Sequence, residues 1–196
     1  MAIGAQVSYP DLIGFGRRHL DMSPAELRDT VLYQLGALDA FAQVGGSEIA
    51  YVKPHGALYH AVATDPALAQ AVVDAAREYD SSLAILGLPD SDLLLTADRA
   101  GLEAVAEAFA DRAYRPDGRL VSRRETGSVL TDPDEVAQRA VRIAIDNEVV
   151  AIDGTIVSVR ARSICVHSDT PGAVELARAV RSALDAAGVG VYRFTD

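Results

Sequence analysis

The chain is predicted to be an α/β protein built on a parallel sheet, and three observations predict it. Short apolar stretches of strand length alternate with Ala-rich segments of helical period, the pattern of βα units. Four of the helical segments begin with the same punctuation, a capping side chain followed by proline: Ser23-Pro24, Asp65-Pro66, Asp132-Pro133 and Thr170-Pro171. Polar residues gather where the strands end, while the strand bodies are apolar. Hydrophobic residues at 49% and charged residues at 23% are ordinary for a soluble globular chain, and 196 residues suit a single domain, residues 1–196.

In order, the first strand is read within residues 2–8, ending at Tyr9-Pro10-Asp11. A loop follows, Gly14-Phe15-Gly16-Arg17-Arg18-His19, with two glycines and three groups that can be cationic. Ser23 caps the next helix, Pro24 fills its first turn and Glu26 completes a capping box. Leu27, Val31, Leu35, Leu38 and Phe41 or Ala42 then recur at helical spacing, Tyr33 is read as core, and Gly45-Gly46 ends the helix. Ile49 to Val52 is the second strand. It runs into Lys53-Pro54-His55-Gly56, where proline cannot donate a ladder hydrogen bond and so marks the strand end.

Leu83 to Leu88 is the third strand, followed by Pro89-Asp90-Ser91 and a short helix to Gly101. Val105 to Phe109 is the fourth, and Ser163 to Val166 the fifth, with Cys165 read as a small core residue. Two excursions interrupt the alternation. Residues 113–131 form a polar loop with a turn signal at Pro116-Asp117-Gly118. Residues 148–162 form a hairpin, with Asp153-Gly154 as a two-residue turn between β-rich runs. Thr170 is read as the cap of the last helix.

The charge excludes one class of function. Lys plus Arg is 18 and Asp plus Glu is 28, a net charge of −10, which lacks the basic footprint of a nucleic-acid binder. No apolar run approaches the roughly 20 residues of a membrane span, and no signal-type segment opens the sequence, so a cytoplasmic protein is expected. One cysteine leaves no intrachain disulfide.

Side by side, the strand ends carry Gln6 and Ser8, Lys53 and His55, Gly87 and Pro89, Asp111 and Arg112, and His167 and Asp169. In α/β folds such ends are where sites are built. A lone histidine there is often structural, and Asp111 beside Arg112 can be a plain ion pair, worth at most ~1 kcal/mol at a surface. No His-x3-His or comparable metal-ligand pair occurs, and no Walker P-loop.

Six stretches in order carry a family likeness: Gly4-Ala5-Gln6-Val7-Ser8-Tyr9-Pro10-Asp11-Leu12, Gly14-Phe15-Gly16-Arg17-Arg18, Tyr33-Gln34-Leu35-Gly36-Ala37-Leu38, Lys53 to Tyr59, Phe109-Ala110-Asp111-Arg112-Ala113-Tyr114, and Ile164 to Pro171. On them the chain resembles the LamB/YcsF family. The resemblance implies a seven-stranded (β/α) barrel of the glycoside hydrolase/deacetylase type, about five of whose strands are present here. The family's Asp-rich opening segment and its Asn-x-Ala-Cys-Gly-Phe-His-Ala-Gly-Asp segment are not in this sequence, so the chain reads as N-terminally shortened. Exposed strand edges are then expected to favour self-association.

The implied reaction is ATP-dependent hydrolysis of 5-oxo-L-proline to L-glutamate, with ATP and Mg2+, alongside separate B and C subunits. For such chemistry Lys53 suits charge stabilisation, and His55, Asp111 or His167 suits the positioning of water. Arg17 or Arg112 suits a bidentate grip on the substrate carboxylate, with Gln6 and Asp169 as further substrate contacts. Two alternatives are a metal-dependent deacetylase or amidohydrolase of similar fold, using His55, His167 and a carboxylate, and a non-catalytic scaffold.

Overall fold

The computed structural model describes residues 2–195. The chain divides into two compact units, one running to Ala106 and including the residues from Arg193 on, the other spanning Glu107–Tyr192.

In the first unit, β1 (Ile3–Ala5), β2 (Ile49–Val52), β3 (Ala84–Gly87) and the opening half of β4 (Ala104–Phe109) pair in that order, every pair parallel. The helices α1 (Pro24–Val44), α2 (Gly56–Ala61), α3 (Pro66–Tyr79) and α4 (Asp92–Arg99) complete it. Leu27, Val31 and Leu35 of α1 are buried together with Leu68, Val72 and Ala76 of α3 and with Val52 and Ile85 of the strands. Parallel strands covered in this way read as continuous apolar runs rather than as alternating ones, as Ala84-Ile85-Leu86-Gly87 does, all four buried.

In the second unit the closing half of β4 pairs in parallel with β7 (Ser163–Cys165), Phe109 opposite Cys165. The helices α5 (Pro133–Asp146) and α6 (Ala173–Ala186) enclose a core of Val136, Ala140, Leu176, Val180 and Leu184. The hairpin excursion is β5 (Glu148–Val150) with β6 (Ile156–Ser158), antiparallel. The fold is thus α/β with five strands in parallel pairings, as the sequence predicts. Among the described residues, no helix is long and apolar enough to cross a membrane.

Local chemistry accounts for most helix starts. The Ser23 side chain accepts from Glu26 N–H while Glu26 reaches back to Ser23 N–H, the reciprocal capping box. Asp65 and Asp132 each accept from two first-turn amides, with proline next to them. Ser91 caps α4 through Leu94 N–H.

Five expectations need correction. Thr170 does not cap the last helix: α6 begins at Ala173 after Gly172, and the Thr170 hydroxyl turns to Asp111 instead. Tyr33 is 76% exposed, because it lies about 200° around the helix from buried Val31. Phe41 is likewise exposed, and Ala42 takes the buried place. Cys165 is half-buried rather than core. The second hairpin turns through three residues, not two: Ala151 N–H donates to Thr155 O at 2.8 Å, and Gly154 takes the left-handed conformation that closes a three-residue loop.

Candidate functional site

Each unit carries its own cluster at strand ends. In the first, the β1 and β2 ladder runs past the named strands: Lys53 N–H donates to Ala5 O at 2.9 Å and His55 N–H to Val7 O at 2.8 Å. Ser8 is held by a side chain, since Gln34 of α1 accepts from Ser8 N–H at 2.9 Å and donates to Ser8 O at 2.8 Å. That amide imitates a neighbouring strand. A polar residue lodged among the helix's apolar positions was the sequence signal for it. Gln6 is exposed and lines a shallow groove with Tyr33, Gln34 and Leu38.

The loop after β1 is closed by Asp11, which is buried. It accepts from Gly14 N–H at 2.9 Å and from the Arg18 guanidinium through two nitrogens. The hydrogen bond from Arg18 holds the Asp11 carboxyl down at about 2. His55 meets this loop. Its Nε2 lies 2.9 Å from Phe15 O, and because a carbonyl only accepts, Nε2 carries the proton. The Phe15 ring packs edge-on against the His55 ring, and the Arg17 guanidinium lies over Phe15, 5.3 Å from its centre. Gly56 comes so close to Gly16 that any side chain there would strike the Gly16 carbonyl, and its φ of +63° is in the left-handed region.

The second unit holds a different arrangement. Asp111, just past β4, is fully buried. Its Oδ1 stands 2.9 Å from His167 Nδ1, its Oδ2 accepts the His167 backbone N–H at 2.9 Å, and the Thr170 hydroxyl donates to Oδ2 at 3.4 Å. The Phe109 ring stacks on the imidazole, 5.6 Å between centres and 19° from parallel. Burial alone raises the Asp111 pKa; the hydrogen bonds and charge of His167 outweigh it, and the carboxyl sits below its ordinary value. Ionised Asp111 can only accept, so His167 Nδ1–H donates to it, which fixes the tautomer and leaves Nε2 as the ring nitrogen able to accept a proton. A buried carboxylate that orients an imidazole in this way forms an acid–base dyad.

Asp111 and His167 thus come together across 56 residues of sequence. His55 and Arg17 come together through Phe15, and Lys53 is half-buried beside them on the chain. Asp169 is exposed, next to buried Thr170. Arg112 is not open to a substrate carboxylate. It is 3% exposed, and its guanidinium donates to Ser128 O at 3.1 Å and to Val121 O at 2.6 Å. Sequence reasoning missed Gln34, Thr170 as a partner of Asp111, and Glu107. Glu107 is 1% exposed and shares the strand face of Phe109 by two-residue periodicity; an acid within Ala-Val-Ala-Glu-Ala-Phe was the available signal. Among the described residues, no three His, Cys, Asp or Glu side chains stand close enough together to hold a metal ion.

Parallel βα units with their polar groups at the strand ends define an α/β scaffold that builds its site from the loops after its strands. The chain belongs to the LamB/YcsF family, whose model matches residues 1–196. It is 58% identical over 192 residues to the 5-oxoprolinase A subunit of Streptomyces avermitilis, covering 98% of this chain and 77% of that one. It is 50% identical to the 5-oxoprolinase A subunit numbered 1 of Agrobacterium fabrum, covering 100% of this chain and 77% of the relative. The crystal structure of a lactam utilization protein from Thermus thermophilus superposes with a TM-score of 0.90 at 46% identity, over 98% of this chain and 77% of that one.

Proposed function

We propose that this chain is the A subunit of an ATP-dependent 5-oxoprolinase, opening 5-oxo-L-proline to L-glutamate together with B and C subunits. The observation that carries the reading is the buried Asp111–His167 dyad at the ends of β4 and β7, in a chain whose relatives are named as A subunits of 5-oxoprolinase.

A five-membered lactam is a stable amide with a poor leaving group. His167 Nε2 takes a proton from water as the water oxygen adds to the lactam carbonyl carbon, and Asp111 stabilises the imidazolium so formed. The ring C–N bond then breaks, and the nitrogen takes up a proton to become the amine of glutamate. ATP with Mg2+ would supply the activation of the lactam oxygen, leaving as ADP and phosphate when the ring has opened, and no residue of this chain is assigned to it. Dependence on ATP fits a cytoplasmic location.

The test is ATP-dependent glutamate release by the chain assembled with its B and C partners. His167→Asn keeps a donor where Nδ1 stands but has no lone pair where Nε2 stands. It is expected to lose turnover while staying folded. Near-native turnover in that variant removes the dyad from the mechanism, and an assembled native complex that releases no glutamate overturns the function itself.

A further inference from the structure

The Phe109 ring that stacks on His167 is fixed through its own backbone. Ala110 N–H donates across to Cys165 O at 3.1 Å. Successive amides of a strand point to opposite edges, so Phe109 N–H faces away from β7. The ladder between β3 and β4 has stopped before Phe109, its last pair being Gly87 with Ala106. A buried N–H left without an acceptor costs the full desolvation of that group. The Tyr114 hydroxyl accepts this one at 2.8 Å, and both residues are buried.

Tyr114 is itself firmly held. It is 1% exposed, it bridges Leu120 in antiparallel fashion, and its carbonyl accepts Ile152 N–H at 2.9 Å. The loop after Asp111 and the hairpin excursion thus both close on this residue. Burial pushes its hydroxyl well above the ordinary tyrosine value, so the bond to Phe109 is the same throughout neutral pH.

Phe109 and Asp111 leave the chain two residues apart and hold one imidazole from two sides. The carboxylate accepts from Nδ1 at 2.9 Å, and the Phe109 ring lies 19° from parallel against the imidazole face. The carboxylate fixes where Nδ1 lies, and the aromatic face fixes the plane of the ring. Together they set the direction in which Nε2 points.

We propose that Tyr114 is a positioning residue for the dyad: its hydroxyl pins the Phe109 backbone at the end of β4 and so sets the plane of the His167 imidazole. The chemistry this serves rests on the 5-oxoprolinase reading; the positioning itself does not.

The experiment uses Tyr114→Phe, which removes the hydroxyl and keeps the ring. Nuclear magnetic resonance on the full chain reads two things, hydrogen exchange of the Phe109 amide and the ring-proton signals of His167, which the stacked Phe109 ring shields. Glutamate release by the complex with B and C subunits reads kcat and KM. The Phe109 amide is expected to exchange at least about tenfold faster while amides of α5 keep their rates, as the loss of one local bond requires. The His167 ring signals should move downfield, and those of His55 should not. The value of kcat should fall about tenfold with KM nearly kept, because the base is misaimed and binding is not touched. An unchanged Phe109 exchange rate overturns the bond. Faster exchange with unmoved His167 signals makes the hydroxyl a backbone cap alone and overturns the positioning role. Both spectral changes with a native kcat overturn its bearing on the reaction. Both spectral changes, in a variant whose native parent complex makes no glutamate, uphold the positioning and overturn the 5-oxoprolinase reading instead. If the variant does not fold, the native chain carries the test: its Phe109 amide should exchange as slowly as those of α5, and exchange at the rate of an exposed amide overturns the proposal.

Discussion

His55 and His167 both follow parallel strands, yet they are built for different tasks. In the first unit His55 donates to a main-chain carbonyl, Phe15 O, and its ring forms one wall of the loop that carries Arg17. In the second, His167 donates to a fully buried carboxylate and stacks on Phe109. A carbonyl partner steadies a loop but adds no charge; a carboxylate partner fixes the tautomer and stabilises the protonated ring. Similar residues at similar places in the chain are therefore separated by what accepts their proton. The first cluster steadies a loop, and the second holds an imidazole against a buried carboxylate.

The largest effect is expected from breaking the second cluster. Asp111→Asn should lower turnover by roughly 10²-fold or more, the usual yield of a positioned acid–base group. It should also cost about 2 kcal/mol of stability, because charge-assisted hydrogen bonds in a buried site are lost. Urea denaturation and glutamate release measure the two. Asp117→Asn is the control: Asp117 is exposed, accepts from Arg119 N–H in its own turn and lies 4.0 Å from the exposed Arg119 guanidinium, so little should change. Equal losses in the two variants would erase the distinction between the buried dyad and an ordinary turn aspartate.

The histidines themselves sharpen the comparison. His55→Gln places an amide N–H where Nε2 donates to Phe15 O and should keep most activity, while His55→Ala should lose about tenfold through a looser loop. A His55→Gln variant as inactive as His167→Asn would move His55 from the loop into the chemistry. Backbone packing beneath the same loop supplies a further contrast. Gly56→Ala is expected to destabilise the protein by about 2 kcal/mol or more, from left-handed strain and contact with the Gly16 carbonyl. Gly36→Ala, mid-helix with nothing near its added methyl, should stabilise by up to ~1 kcal/mol. Thermal denaturation with shifts of the same sign at both positions would refute this reading.

Dependence on pH gives the smallest effect. The folded-state pKa of Asp111 is lowered, so its ionised form stabilises the fold. That contribution is fully present above the unfolded value of about 3.9 and is lost as pH falls through the folded value. The stability gap between the native chain and Asp111→Asn should therefore stay constant from about pH 7 to about pH 5 and close below about pH 4. A gap that widens on acidification would contradict the sign.

Much of the fold was legible because its signals are local. Ser23-Pro24 with Glu26, Asp65-Pro66 and Asp132-Pro133 all open helices, since a cap and a first-turn proline act within a few residues of themselves. Ile49 to Val52 is a strand with the bounds its sequence suggests, an apolar run that ends in Lys53-Pro54. Asp111 and His167 were legible as candidates, being polar groups at strand ends, but not as a pair.

What only tertiary structure decided is where a side chain spends its hydrogen bonds. Thr170 has the sequence of a cap, yet its hydroxyl goes to Asp111, 59 residues earlier. Arg112 has the chemistry of a carboxylate ligand, yet burial next to two main-chain carbonyls commits its fork to the backbone. Gln34 stands among the apolar positions of its helix, yet only the fold shows that its amide completes the ladder at Ser8. Strand and helix identity follow from periodicity and caps, which the chain carries within a turn or two of each residue. Partner choice follows from which buried donors and acceptors the fold leaves opposite one another, and that is set by contacts distant in sequence.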